Sequence, residues 1–240
     1  MPSSEGYEGP LLITAWLSSP LAGDPPQLDA LLEWCLAPFE PEFRGKMDRG
    51  EPHGRVDRAL PAPEQGKIRI PILRTMVCGF LVGRCSNPIM PTPKTETVEY
   101  VAKRLSVENA ELLSASERKV VTTTNAWTKS YRLPLRIRLV DRVCWFAVGC
   151  KKSVRKALRD VHAIGKKVAD GYGRVQRIDV EKADEDYSWF APCDGGRVLM
   201  RTMPLESVDP SNLFGWRRHF GACCPPYWHS SRFCETVTPC

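Results

Sequence analysis

Ala163-Ile164-Gly165-Lys166-Lys167-Val168-Ala169-Asp170-Gly171-Tyr172-Gly173-Arg174-Val175 carries the chain from a helical pattern into a strand pattern. Upstream, residues 153–164 place Val154, Ala157, Leu158, Val161 and Ile164 on one stripe at helical spacing. Lys151, Lys152, Arg155, Lys156 and Arg159 lie elsewhere. Downstream, residues 174–180 read as a strand. Between them stand three glycines, the cations Lys166, Lys167 and Arg174, and Tyr172 set between Gly171 and Gly173. Glycine reaches φ > 0 and admits close approach of another chain. The N–H groups of such a loop form a concavity for anions, and the tyrosine ring offers a face for base stacking. The same residues also describe a plain helix-to-strand turn, with Gly165 as the cap and Lys166 and Lys167 complementing the helix dipole.

Working outward, residues 143–148 form an apolar strand closed by Gly149. Residues 130–140 alternate around Tyr131, Leu133, Leu135, Ile137 and Leu139, which sets Arg132, Arg136 and Arg138 on the opposite face. Near the start, residues 11–17 read as a first strand. Leu28, Leu31, Leu32 and Cys35 recur at helical spacing over 28–35. Residues 67–73 alternate around Ile68, Ile70 and Ile72, and residues 75–82 read as one continuous apolar strand. Stretches at about 38–66 and 86–128 are rich in proline and polar residues and read as insertions. Without the insertions the order is βαββαβ, an α+β, ferredoxin-like, RRM-like core with one sheet face covered by helices. This predicts a domain over 1–206 and a Cys- and aromatic-rich extension over 207–240, an irregular tail without clear periodicity.

Composition narrows the function. At 42% hydrophobic residues the 240-residue chain can bury a core. No apolar run approaches the ~20 residues of a membrane helix, and no export signal is read at the N-terminus, so a cytoplasmic protein without membrane contact is expected. Of the ten cysteines, the scattered Cys35, Cys78, Cys85, Cys144, Cys150 and Cys193 are then expected to be reduced core residues. Net charge is +6, but residues 101–178 hold eighteen Lys/Arg against six Asp/Glu, a local balance of +12. Such concentration points to a polyanion partner; the alternative is a set of solvated faces.

These features together resemble a known family. A ferredoxin-like core whose last helix runs into Ile164-Gly165-Lys166-Lys167 and Gly171-Tyr172-Gly173-Arg174-Val175 resembles the RAMP superfamily of CRISPR-associated RNA-binding proteins. Ile13-Thr14-Ala15-Trp16-Leu17, Ser19-Pro20-Leu21-Ala22-Gly23 and Leu28-Asp29-Ala30-Leu31-Leu32 are similar to the N-terminus of the Cas family five subunits of type IV effector complexes. Lys129-Ser130-Tyr131-Arg132, Trp145-Phe146-Ala147-Val148-Gly149 and Met200-Arg201-Thr202-Met203-Pro204 extend the match. The resemblance implies a subunit that binds the 5′ handle of a crRNA and caps a filament of backbone RAMP subunits. It implies that the stretch at about 86–128 is a large β-hairpin or thumb-like insertion, and it implies contact with the large subunit and with a crRNA-processing subunit. Through the complex it implies target nucleic acid and a helicase, in RNA-guided defence against foreign nucleic acid such as plasmids. The RNA-binding candidates are Lys129, Arg132, Arg136, Arg138, Gly165, Lys166, Lys167, Gly171, Tyr172, Gly173 and Arg174.

Some relatives of that superfamily cut repeat RNA without metal, which requires a general base. The four histidines are His53 in an insertion, His162 beside the stripe position Val161, and His219 and His229 in the tail. No pair of carboxylates and no Ser/His/Asp arrangement stands out, so a non-catalytic subunit without a cofactor is expected, and a metal-independent repeat endoribonuclease is the alternative. His219, Cys223, Cys224, His229, Cys234 and Cys240 have the residue types of zinc ligands. Their spacing matches no recognised knuckle, so no metal residue is assigned and a zinc-dependent interaction module stays as a further alternative.

Overall fold

The computed structural model describes residues 9–37, 64–103, 131–209, 211 and 213–240. In chain order these contain β1 (Gly9–Leu17), β2 (Leu21–Ala22), α1 (Leu28–Leu36), β3 (Arg74–Val77), β4 (Phe80–Gly83), β5 (Thr95–Lys103), β6 (Tyr131–Leu139) and β7 (Arg142–Gly149). There follow α2 (Lys151–Leu158), β8 (Val175–Lys182), β9 (Phe190–Cys193), β10 (Gly196–Leu199), β11 (Met203–Pro204), β12 (Leu213–Phe214), β13 (Trp216–Ala222) and β14 (Phe233–Pro239). The class is α+β. The chain forms two compact units, one of residues 1–38, 62–95 and 138–240, the other of 39–61 and 96–137.

In the first unit β1 lies between β7 and β8, antiparallel to both. Alternation along β1 sends Leu11, Ile13 and Ala15 to one face, opposite Val143, Trp145 and Ala147 on β7 and Val180 on β8. Leu28, Leu31 and Leu32 of α1 and Val154 and Leu158 of α2 join the same buried cluster, so both helices cover that face. The Trp145 indole N–H donates to the Pro26 carbonyl at 3.2 Å, which satisfies the one polar atom of a large core side chain. Beyond β7, residues 84–89 run alongside it through the bridges Cys85–Ala147 and Ile89–Cys144, with Ser86 N–H donating to the Phe146 carbonyl at 2.8 Å. This ragged segment covers the β7 edge.

Several sequence expectations change here. Residues 75–82 are not one strand but the β3–β4 hairpin, turned at Cys78 (φ 47°) and Gly79 (φ 81°). Two successive positive φ values are what a two-residue hairpin turn requires. Residues 67–73 bury Ile70 and Ile72 as the alternation demands, but they form only the single bridge Ile72–Gly149. Pro71 has no N–H to donate, and its carbonyl accepts from Cys150 instead. The helix predicted over 153–164 is Lys151–Leu158. Val161 and Ile164 are buried, yet 162–164 turn back and pair with 173–175. The apolar period thus outlasts the helix, and Arg159, not Gly165, is the cap.

The expected irregular tail is also corrected. β13 and β14 pair over seven residues, and β11 adds to β14. Val82, Leu199, Met203, Leu213, Cys223, Cys224 and Val237 form a second core. Short strands with mixed polarity leave no periodicity to read. Arg201, from the Met200–Pro204 motif, is 1% exposed and bonds Asp29 of α1 at 2.6 Å. Tyr227 Oη donates to the same carboxylate at 2.9 Å. Burial works against the Arg201 charge, but the Asp29 carboxylate holds its pKa well above the ordinary value.

In the second unit, β5 and β6 are sheet neighbours. Arg136 pairs with Glu96 at 3.1 Å and Arg132 lies 4.2 Å over the Tyr100 ring. These matched positions run in opposite order, as antiparallel strands require.

Candidate nucleic-acid interface

The glycine loop is stapled to the segment that follows β1. Lys166 N–H donates to the Ala22 carbonyl at 2.8 Å, Gly173 N–H to the Pro20 carbonyl at 2.8 Å, and Arg174 N–H to Ser19 Oγ at 2.8 Å. Two motifs far apart in sequence, residues 19–23 and 164–175, are therefore one structural piece. Gly173 is obligatory: its φ is 63°, and a Cβ there would sit 1.8 Å from the Ile164 carbonyl oxygen. Gly165 (φ 90°) lies against the Ala22 carbonyl and the Leu21 side chain. Gly171 (φ 94°) faces open space, with nothing within 4 Å of a Cβ placed on it. Lys167 takes a left-handed conformation (φ 57°) ahead of the short turn Val168–Asp170.

These bonds alter the expected chemistry. Five backbone donors of the loop, at 166, 170, 171, 173 and 174, already have acceptors within the protein. An anion would therefore meet chiefly the side chains. Lys166, Lys167 and Arg174 are exposed and Tyr172 is half-buried. Lys167 pairs with Asp170 at 3.0 Å on the surface, a contact worth about 0–1 kcal/mol and readily exchanged.

The arginine face of β6 divides. Arg132 and Arg136 are exposed in the second unit. Arg138 is 7% exposed, in the first unit, and donates to the Gly23 carbonyl at 3.3 Å and to Asp24 Oδ1 at 3.1 Å. It holds the residue 23–24 turn in place. Along the opposite row, Leu133 and Leu139 are exposed while Leu135 and Ile137 are buried. Lys129 lies outside the described residues, as does His53.

A group that the sequence reading missed occupies the sheet face without helices. The register sets Trp16 of β1 directly between Arg142 of β7 and Arg177 of β8. The guanidinium carbons lie 5.4 and 4.8 Å from the indole centroid. Trp16 Nε1 donates to Asp179 Oδ2 at 2.7 Å, and Arg177 Nε reaches the same oxygen at 3.0 Å. Those bonds, from Arg177 first and Trp16 next, hold the Asp179 carboxyl below its ordinary pKa. Beside this row lies a depression of about 550 Å³ lined by Thr14, Met90, Cys144 and Phe146 among others. The signal available in sequence was position 16 alone, an even-numbered residue in a strand whose odd positions are core.

The model of the CRISPR type IV associated protein Csf3 matches residues 9–239. The chain belongs to the Csf3 family. This agrees with the resemblance to type IV RAMP subunits, and the match takes in β1, the glycine loop and the C-terminal strands of this Csf3-family chain together. No curated protein matches it.

The residues weighed for other chemistry are dispersed. His162 is exposed at the turn after α2, and its carbonyl accepts from Val175. His229 Nδ1 accepts from Ser231 N–H at 3.2 Å, a local cap. Cys223 and Cys224 are buried in the second core. Their thiols interact, and the neighbouring Cys224 sulfur pushes the Cys223 thiol up. Among the described residues, no group of three or more His, Cys, Asp or Glu is placed to hold a metal ion. Among them also, no helix is long and apolar enough to cross a membrane.

Proposed function

We propose that this chain is a non-catalytic, cytoplasmic subunit of a type IV CRISPR ribonucleoprotein that binds the 5′ handle of the crRNA and caps the backbone filament. Family membership supports the assignment to a type IV complex. The observation that carries RNA binding is the glycine loop: exposed Lys166, Lys167 and Arg174 surround the open Gly171 corner beside Tyr172. Single-stranded RNA asks for this combination of cations and a stacking ring on a rigid frame. The staples from residues 18–22 supply the rigidity. Arg132 and Arg136 serve as further phosphate contacts on the second unit, which has the place of the thumb. The core is read as ferredoxin-like. That reading draws support from the order β8-β1-β7 followed by residues 84–89, with α1 and α2 on one face.

Within the complex the chain meets backbone RAMP subunits, the large subunit and a crRNA-processing subunit. It reaches target nucleic acid and a helicase through the assembly. The test is binding of repeat-derived RNA across a salt series. Affinity should fall by about 0.7 log units per log unit of salt for each phosphate neutralised. Joint replacement of Lys166, Lys167 and Arg174 with alanine should flatten that slope. An unchanged slope removes the loop from the interface. Absence of RNA binding by the chain expressed with its neighbours and a repeat array overturns the function itself.

A further inference from the structure

From the sheet face opposite the helices, we infer that Trp16 is a second RNA contact, a stacking platform for one unpaired nucleobase, reached by the strand that leaves the glycine loop. The inference rests on the RNA-binding reading above and extends it to residues outside the RNA-binding candidates named from the sequence.

Three observations converge on Trp16. The first is preorganisation. The indole is fixed at its nitrogen by Asp179, and Asp179 is fixed in turn by Arg177. A ring held this way loses little freedom when a base stacks on it.

The second is the uneven hold on its two arginines. Arg177 is tied to Asp179 at 3.0 Å, whereas among the described residues the one ion-pair partner of Arg142 is Asp141, at 3.9 Å. Arg142 therefore swings away at low cost, leaving the ring for a base and its own guanidinium for a phosphate. The adjoining depression, with Thr14 and Cys144 on its floor and Phe146 farther along, gives the base room. Phe146 is four strand positions from the Trp16 row, roughly 13 Å away at the rise of a strand. Ribonucleotides of an extended strand bridge such a gap.

The third is continuity. β1 runs from Trp16 through Leu17 to Ser18, whose N–H donates to the Arg174 carbonyl at 2.9 Å. The exposed Arg174 thus adjoins the Trp16 row, and the loop and the platform form one path.

A protein partner fits this face less well. Trp and Arg are enriched at protein interfaces too, but the Asp179 carboxylate tied to the ring belongs to a residue type depleted there. A nucleotide matches it group for group: its base stacks, its phosphate meets cations, and an N–H donor on the base edge, such as N3–H of uracil, meets the Asp179 carboxylate.

The experiment uses the full chain and a short single-stranded RNA carrying 5-iodouridine. Photocrosslinking followed by peptide mapping should yield an adduct on the Trp16 peptide. Trp16→Ala should weaken binding of the same RNA roughly 5- to 100-fold, the effect of losing one stacked base. Its salt slope should stay unchanged, because no phosphate contact is lost. Trp16→Phe should recover most of the affinity. Adducts confined to residues 165–174, with Trp16→Ala binding normally, overturn the platform and leave the loop reading intact. A wild-type chain that binds no RNA overturns both. The crosslink is read on the wild-type protein, so it decides the matter even where Trp16→Ala fails to fold.

Discussion

Asp29 and Arg201 offer the sharpest test of how the two cores of the first unit are joined. Asp29 is 0% exposed and Arg201 1%. The carboxylate accepts from Arg201 Nη2 at 2.6 Å, from Tyr227 Oη at 2.9 Å and from Ala30 N–H at 2.9 Å. The guanidinium also reaches Cys85 Sγ at 3.1 Å, Gln27 Oε1 at 3.2 Å and the Cys223 carbonyl at 3.3 Å. All of those remaining acceptors are neutral, since burial first of all pushes the Cys85 thiol up to about 12. Asp29→Ala therefore strands a buried cation, at a cost of about 3–5 kcal/mol. At about 2–4 °C per kcal/mol for a chain of this size, Tm should fall by roughly 6–20 °C. Asp29→Leu/Arg201→Met removes both charges and keeps apolar volume, so it should regain most of that loss. Thermal and urea unfolding of the three proteins read this out. A loss below about 1 kcal/mol for Asp29→Ala, or a double variant no better than the single, refutes the clamp.

Three further outcomes follow from the site. Gly173→Ala places a Cβ 1.8 Å from a carbonyl oxygen and should shift the urea midpoint well beyond the ~1–3 kcal/mol of a left-handed residue alone. Gly171→Ala has open space and should show only that smaller backbone cost; equal losses would contradict the packing. The Asp179 carboxyl is held below its ordinary pKa by Arg177 and Trp16. Its link to Trp16 should persist above the unfolded-state pKa and break as pH falls through the lower folded value. The Trp16 indole N–H resonance reports this by NMR, and an inflection above the ordinary carboxyl range would contradict it. Incubating the chain with repeat RNA in EDTA should leave the RNA intact. Cleavage that vanishes on replacing one histidine would establish the endoribonuclease alternative.

How much of this was legible depends on where the physics is local. β1, α1 and β7 were readable because their burial periods of two and 3.6 are uninterrupted. α2 was overextended because Val161 and Ile164 keep the helical period while the backbone turns to pair with 173–175. The β3–β4 turn was hidden because its first residue is Cys78, a poor advertisement for positive φ. The glycine loop was found by composition, but not the use of its backbone donors, since Ser19, Pro20 and Ala22 are distant in sequence. Arg138 was grouped with Arg132 and Arg136 by alternation, which cannot see the Asp24 carboxylate that takes it inward. The Trp16 group was missed for the same reason: only the registers of β1 with β7 and β8 bring Arg142 and Arg177 to it.

The central claim is that this chain holds one end of a guide RNA. Its most direct test is to crosslink the assembled complex, isolate this chain and sequence the RNA attached to it. The expected result is one uniform 5′ end within the repeat-derived handle, with adducts on residues 165–174. Adducts spread through the guide region, or none on this chain, would contradict it.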